Sequence, residues 1–397
     1  MSSAFDQLFV NLKHWLVGLF PASWQPWSSI LISIAPILAV FPLLFAITTW
    51  LERKGLGRIQ NRLGPNRVGP FGWFQPIADG IKMLTKEDII PRSADKVVHF
   101  LAPVVLVVPV FLTYSVLPFG RNMVGVDLDA GVLFFFAIGA ATELSVFMAG
   151  WASCNKYSVL GAMRAIAQMI SYELPLVIST LTVVMMAGSL SLPAIVDGQV
   201  PVLFGFLHQW NVFTPWGFAG FLLFFIAATA ESNRTPFDLP EGESEIIAGY
   251  LIEYSGFKYA LFFMGEYLGL FAVSSLGITL FLGGWLAPFA FLDWVPSWVM
   301  FFVKLLGMIA VFIWIRGTLP RLRIDQLMNF AWKFMLPMTL INVVVAGLWH
   351  FSKEWDLPGG IPLRWVLCAI LLGVPYIVLG RAVQPARVTK RVYRYAS

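Results

Sequence analysis

Charged side chains are scarce in this sequence. Of its 397 residues, 12% are Asp, Glu, Lys or Arg, and 58% are hydrophobic. A soluble globular domain has about a quarter of its residues charged, so this composition excludes that class. The charges gather in short segments between long apolar runs. We therefore expect an all-α, polytopic membrane bundle in which the charged segments form the loops.

Cysteine and histidine are also rare. The two cysteines, Cys154 and Cys368, lie far apart and no Cys-x-x-Cys motif occurs, which argues against a disulfide framework and against zinc or iron–sulfur ligands. The four histidines stand singly, without the paired spacing of haem or zinc ligands. We expect the chain to bind neither metal nor flavin, so a redox centre would belong to another chain.

No Gly/Ser-rich linker, low-complexity tract or repeat divides the sequence. We therefore treat residues 1–397 as a single membrane domain. The first residues lack the basic region, compact apolar run and small-residue cleavage site of a secretory signal. We expect no removable signal peptide.

Nine apolar stretches are long enough to cross a hydrocarbon core of roughly 30 Å. They cover residues 29–51, 97–118, 131–151, 160–187, 216–231, 246–284, 298–316, 334–350 and 362–381. The sixth is too long for one upright helix, so we expect it to begin with a turn outside the bilayer.

The basic residues predict the orientation of these spans. Twenty-two Lys and Arg fall on one side of the bundle and four on the other. The positive-inside rule then places the N-terminus outside and the charged loops in the cytoplasm. Nine spans bring the C-terminus inside, where the basic tail at 384–397 is typical of a topology signal that faces lipid.

Four carboxylates fall within the predicted spans: Glu143, Glu173, Glu231 and Glu266. Desolvation favours the neutral form of a carboxyl group, so a row of such residues can hold and release protons. This pattern predicts a proton relay. The alternative is that each acid pairs with a neighbouring cation and holds helices together. Lys304, in the seventh span, is either such a partner or a side chain that reaches the interface.

Two charged segments follow spans. After span 5, residues 231–245 contain Pro236, Pro240 and Gly242, which disfavour a continuous helix, so we expect an ordered loop rather than a solvated acidic one. Glu241 and Glu245 stand four residues apart in it.

After span 1, residues 52–69 match no nucleotide-binding pattern. Lipid phosphates, acids of a docked soluble subunit and a polar ligand headgroup remain alternative partners for its arginines. These are Arg53, Arg58, Arg62 and Arg67. Residues 71–86 are too polar to span and predict an interfacial amphipathic helix.

Several short motifs resemble the H subunit of bacterial complex I, the respiratory NADH:quinone oxidoreductase, whose mitochondrial counterpart is subunit 1. The resemblance covers roughly residues 29–350. The motifs are Glu-Arg-Lys at 52–54, Gly-Pro-Asn at 64–66, Gln-Pro-Ile-Ala-Asp-Gly-Ile-Lys at 75–82, Gly-Trp-Ala-Ser at 150–153, Ser-Tyr-Glu at 171–173 and Asn-Arg-Thr-Pro-Phe-Asp-Leu-Pro-Glu-Gly-Glu-Ser-Glu at 233–245.

The resemblance implies a subunit of the bacterial plasma membrane that couples quinone reduction to proton translocation and contains no redox centre. Span 1, the interfacial helix and span 6 would frame a lateral entrance for ubiquinone or menaquinone. The implied quinone-chamber residues are Glu52, Arg53, Arg62, Asp79, Arg234, Phe237 and Asp238. The implied proton-transfer residues are Glu143, Glu173, Glu231, Glu241, Glu243, Glu245 and Glu266.

The same resemblance implies soluble quinone-module subunits on the cytoplasmic side as partners, with small and antiporter-like subunits in the membrane. Residues 351–397 depart from the family pattern, because most relatives stop soon after the eighth span. They form an expected extension with a ninth span and a basic tail. Two other functions fit the intramembrane acids: a stand-alone ion-coupled transporter, and an architectural anchor in which every acid is structural.

Overall fold

A computed structural model describes residues 5–203, 206–238, 247–352 and 360–383 of the chain. These residues form a helical bundle with one short antiparallel hairpin. The hairpin pairs β1 (Val202–Leu203) with β2 (Leu207–His208). The helices, in chain order, are α1 (Leu8–Gly18), α2 (Gln25–Ile59), α3 (Gln75–Thr85), α4 (Lys96–Thr113), α5 (Gly131–Gly139), α6 (Ala141–Ala152), α7 (Lys156–Ala187), α8 (Leu192–Asp197), α9 (Pro215–Glu231), α10 (Gly256–Phe281), α11 (Ser297–Thr318), α12 (Ile324–Phe330), α13 (Leu336–Phe351) and α14 (Gly360–Val383).

The predicted membrane bundle is confirmed. Within the described ranges, eight helical segments are long and apolar enough to cross a bilayer, and in two of them consecutive helices join: α5 with α6, and α12 with α13. The shorter apolar helix α9 occupies the range predicted for the fifth span. The long sixth stretch does begin with a turn, at Gly249–Leu251, before α10 starts at Gly256. The 11-residue helix α1 was not predicted, because it is too short to span.

The core lies where α7, α9, α10 and α13 pack against one another. Small side chains let these helices approach closely, as membrane helix packing requires. Ala227, Ala228 and Ala230 in α9 are fully buried, and Gly161 in α7 lies so near Gly249 that a Cβ would overlap its backbone. The lipid-facing α2 and α14 bury far less of their surface.

The end of the bundle that carries the charged segments after α2, α6, α9 and α11 is called the charged end below. There the interfacial helix α3 contacts both α2 and α10. Its apolar side chains Ile77, Ile81 and Leu84 are exposed, as expected for a helix that rests on a membrane surface. The three elements predicted to frame an entrance therefore lie side by side.

The N-terminus of α4 shows how a loop side chain sets a helix start. The Asp95 carboxylate accepts hydrogen bonds from the backbone amides of Val97 and Val98, at 3.0 and 3.3 Å. We expect D95A to lower the free energy of unfolding by about 1 kcal/mol, because those amides lose their acceptor. D95N keeps a side-chain oxygen and should melt close to wild type. The thermal unfolding of the purified full chain in detergent measures both, and equal melting of the two variants would contradict the prediction.

Candidate functional site

A buried ionic cluster joins α2, α10 and α11 at the charged end. Glu52 is only 5% exposed. Its carboxylate accepts hydrogen bonds from the Tyr267 hydroxyl at 2.5 Å and from Arg316, and Arg234 lies at 3.4 Å. We call Glu52, Arg234, Arg316 and Tyr267 the arginine cluster. Because two guanidinium groups share one carboxylate, the cluster carries excess positive charge in a buried place.

Arg234 reaches this cluster from the loop after α9. Its guanidinium lies 4.0 Å from the centroid of the Tyr267 ring, a cation–π contact. The loop is held by the Gln168 side-chain amide, which donates to the carbonyls of Ala230 and Phe237 at 2.8 and 2.7 Å. Burial lowers the pKa of Arg234, but Tyr267, Glu52 and Glu266 outweigh it and raise that pKa above its ordinary value. Arg234 is therefore a permanent cation.

The same loop buries Phe237 and Asp238. The Phe237 ring packs on Tyr172 in α7, with centroids 5.2 Å apart, and Asp238 accepts from Arg321 at 2.9 Å. Residues 232–238, the described part of the predicted loop, are non-helical as expected. The predicted proton-transfer residues Glu241, Glu243 and Glu245 lie outside the described residues.

A second ion pair links α2 to α3. Arg53 donates to Asp79 at 2.5 Å, and Gln75 also donates to Asp79, at 3.2 Å. Partial burial raises the pKa of Asp79, but the hydrogen bond and charge of Arg53 outweigh it and lower that pKa from its ordinary value. Beside the pair, an open groove of about 780 Å³ is lined by Arg53, Arg62, Arg67 and Gln75, among others. The groove is basic and lies next to the exposed apolar face of α3.

A cavity of about 80 Å³ lies deeper in the bundle, between α4, α5, α6, α7 and α10 and the loop after α9. Glu231 and Glu266 both line it, together with Asn233. The hydroxyl of Tyr250 donates to Glu266 at 2.7 Å. This carboxylate cavity is large enough for several water molecules, so the structure brings together two of the predicted intramembrane acids in a space that can hydrate them.

The other two predicted acids lie close to the first pair. Glu143 in α6 and Glu173 in α7 have carboxyl groups within hydrogen-bonding reach of each other. Two carboxyl groups form such a bond only when one of them holds a proton to donate. Glu231 lies within electrostatic range of both. Glu143, Glu173 and Glu231 thus form one interacting set, and Glu266 lines the same cavity as Glu231.

Sequence comparisons identify the family of this chain. Residues 32–347, about four fifths of the sequence, match the family described as NADH dehydrogenase. The chain belongs to the NADH dehydrogenase family. The matched range contains the whole arginine cluster and the whole carboxylate cavity, and it ends before α14.

Relatives in the NADH dehydrogenase family align over most of their length. The H subunit of the NADH-quinone oxidoreductase of Dehalococcoides mccartyi (strain CBDB1) is 50% identical over 320 residues, 80% of this chain and 86% of that protein. The corresponding H subunit of Geobacillus kaustophilus (strain HTA426) is 47% identical over 348 residues, 87% of this chain and 99% of that protein. The H subunit of Polaromonas naphthalenivorans (strain CJ2) is 41% identical over 350 residues, 87% and 97% of the two chains.

Lys304 of this NADH dehydrogenase family member has a role that sequence reasoning did not foresee. Its ammonium group donates to the backbone carbonyls of Leu282, Gly284 and Leu286 at 2.6, 2.8 and 2.6 Å. It also lies 4.1 Å from the ring of Trp210. These partners are backbone carbonyls and not one of the predicted acids, so the expectation of an acidic partner is wrong, and the cation closes the loop that follows α10.

Four further site residues of this family member were not predicted: Tyr250, Tyr267, Arg316 and Arg321. Arg316 and Arg321 are among the twenty-two basic residues that predict the orientation. Tyr267 directly follows the predicted Glu266, but nothing in the sequence shows that it contacts Glu52. Such pairings connect positions up to 264 residues apart, and only the fold brings them together.

Proposed function

We propose that this chain is the membrane subunit of a respiratory NADH:quinone oxidoreductase that frames the quinone entrance and couples quinone reduction to proton translocation. The names of its relatives support the assignment to an NADH-quinone oxidoreductase. Its substrate is ubiquinone or menaquinone, and the complex resides in the bacterial plasma membrane. The observation that carries the proposal is the buried arginine cluster beside the carboxylate cavity, at the end where the charged loops lie.

The quinone entrance lies between α2, α3 and α10. A quinone is apolar apart from its two carbonyls, so its site needs an apolar passage and a few hydrogen-bond donors. The exposed apolar face of α3 borders the membrane, and the donors nearby are Arg53 and Arg62 in the basic groove. Buried Phe237, Asp238 and the Arg234 loop shape the wall toward the bundle interior.

Quinone reduction is coupled to proton transfer by electrostatic interactions. Reduction of a quinone creates negative charge until protons arrive, and the arginine cluster carries a positive charge that such an anion would engage. Engaging Arg234 changes the field at Glu266 and Glu231 in the cavity, and coupled carboxyl groups respond by shifting protons. Glu173 and Glu143 extend this row of proton-accepting carboxyl groups. We place Glu241, Glu243 and Glu245 at its chamber end on the strength of the motif alone.

The orientation and the partners complete the proposal. The charged end faces the cytoplasm and docks soluble quinone-module subunits, which hold the redox centres. Small and antiporter-like membrane subunits flank the bundle within the bilayer. Residues 29–350 are the family core within a single membrane domain, and residues 351–397 are an extension.

The test is an acid-to-amide change at Glu231 in the purified complex. Because E231Q removes a titratable group while keeping its shape, we expect NADH-driven quinone reduction and proton pumping in proteoliposomes to fall about tenfold, a loss of roughly 1.4 kcal/mol in transition-state stabilisation. D127N makes the same chemical change at an exposed position outside the site and should match wild type.

Flavin and iron–sulfur content per chain reports assembly in each preparation. Wild-type rates of both reactions in an assembled E231Q complex would contradict the proposal. Ion transport by the purified chain alone in liposomes would instead support the stand-alone transporter.

A further inference from the structure

Two elements present one residue to the arginine cluster and another to the carboxylate cavity. In α10, Glu266 lines the cavity while the next residue, Tyr267, binds Glu52 in the cluster. At the end of α9, Glu231 lines the cavity and Arg234, three residues later, belongs to the cluster. The two sites are therefore connected through backbone that is only a few residues long.

Tyr267 contacts both signs of charge in the cluster. Its hydroxyl donates a hydrogen bond to the Glu52 carboxylate, and its ring makes a cation–π contact with the Arg234 guanidinium. The side chain is 2% exposed, so neither contact competes with bulk water. A buried hydrogen bond to a carboxylate and a desolvated cation–π contact each position their partner strongly.

Arg234 in turn is sensitive to the cavity. Burial lowers its pKa, while Tyr267, Glu52 and, more weakly, Glu266 raise it. The charge on Glu266 is thus felt at Arg234, and by reciprocity the position of Arg234 affects the proton affinity of Glu266. Whatever fixes the distance between these two groups sets the strength of their coupling.

We propose that Tyr267 is the positioning residue that couples the arginine cluster to the carboxylate cavity, by fixing Glu52 through its hydroxyl and Arg234 through its ring. This inference rests on the proposed function. When negative charge appears beside the cluster, the Arg234 guanidinium moves relative to the fixed Tyr267 ring. The proton affinity of Glu266, on the adjacent face of α10, then changes. Without the hydroxyl, Glu52 is held by arginines alone and the response weakens.

The test is a double-variant cycle on the assembled complex. Y267F removes the hydroxyl and keeps the ring, and we expect it to lower the turnover number for quinone reduction about fivefold, with a matching fall in protons pumped. If Tyr267 acts through the cavity, Y267F combined with E231Q should be no slower than E231Q alone. Independent effects would instead multiply to about fiftyfold.

Tyr114 supplies the matched control. It is also fully buried, and its hydroxyl donates to the backbone carbonyl of Leu268 on the same helix, outside the cluster. Y114F therefore also loses one buried tyrosine hydrogen bond, and its effect should multiply with that of E231Q. A merely structural role of Tyr267 would produce the same behaviour as Y114F.

Rates are normalised to assembled complex by its flavin content. If Y267F does not assemble, R234K replaces it in the cycle, because lysine keeps the charge and loses the planar stack on the ring. Wild-type turnover in Y267F, or multiplicative effects with E231Q, overturns the inference and leaves the proposed function intact. Wild-type rates in E231Q overturn the proposed function and the inference together.

Discussion

Replacing Glu52 with alanine is expected to prevent stable assembly of the complex and to abolish NADH-driven quinone reduction. Glu52 is the carboxylate that faces both Arg234 and Arg316 in the arginine cluster. Removing one member of a buried ion pair leaves uncompensated charge and typically costs about 3–5 kcal/mol. Here two cations lose the same partner, and the Tyr267 hydroxyl loses its acceptor.

A surface ion pair in the same region provides the comparison. Asp79 pairs with Arg53, which is half exposed, so the pair is screened by water. D79A should cost less than about 1 kcal/mol. The amount of complex in membranes and its midpoint unfolding temperature measure the two variants. Equal stability of E52A and D79A would show that the cluster contributes little.

Replacing Lys304 with methionine is expected to destabilise the opposite end of the bundle by about 2–4 kcal/mol. Methionine has nearly the same length, but it donates nothing to the carbonyls of Leu282, Gly284 and Leu286. Each hydrogen bond to a charged donor contributes about 1.5–3 kcal/mol, and buried acceptors left unpaired add to the loss. Relaxation of the loop toward water keeps the total below the sum of three such bonds.

The control is lysine-to-methionine at a solvated position. Lys82 is mostly exposed and pairs only at 3.6 Å with Asp79, so K82M should change stability by less than about 0.5 kcal/mol. Thermal unfolding of the purified full chain, followed by tryptophan fluorescence, distinguishes the two. Identical midpoints for K304M and wild type would mean that the carbonyls find other donors without cost.

The helices could be predicted because hydrophobic length is a local property. Each predicted apolar stretch coincides with a helix in the structure. The four acids predicted to lie within spans are on or beside these helices. The pairings were not predictable, because Glu52 meets Arg316 only after the bundle forms. The contacts of Lys304 could not be predicted for another reason. Its partners are backbone carbonyls. Every residue has such a group, so no sequence pattern identifies the ones that Lys304 binds. The size and lining of the cavity likewise depend on how five separate helices pack.

A proton held between the Glu143 and Glu173 carboxyl groups would have a mechanical consequence. While it is present, one carboxyl group can donate a hydrogen bond to the other and so link α6 to α7. If it leaves, two anions face each other and repel across the same gap. If this pair takes part in the proposed proton relay, its protonation state sets whether α6 and α7 attract or repel each other at this point.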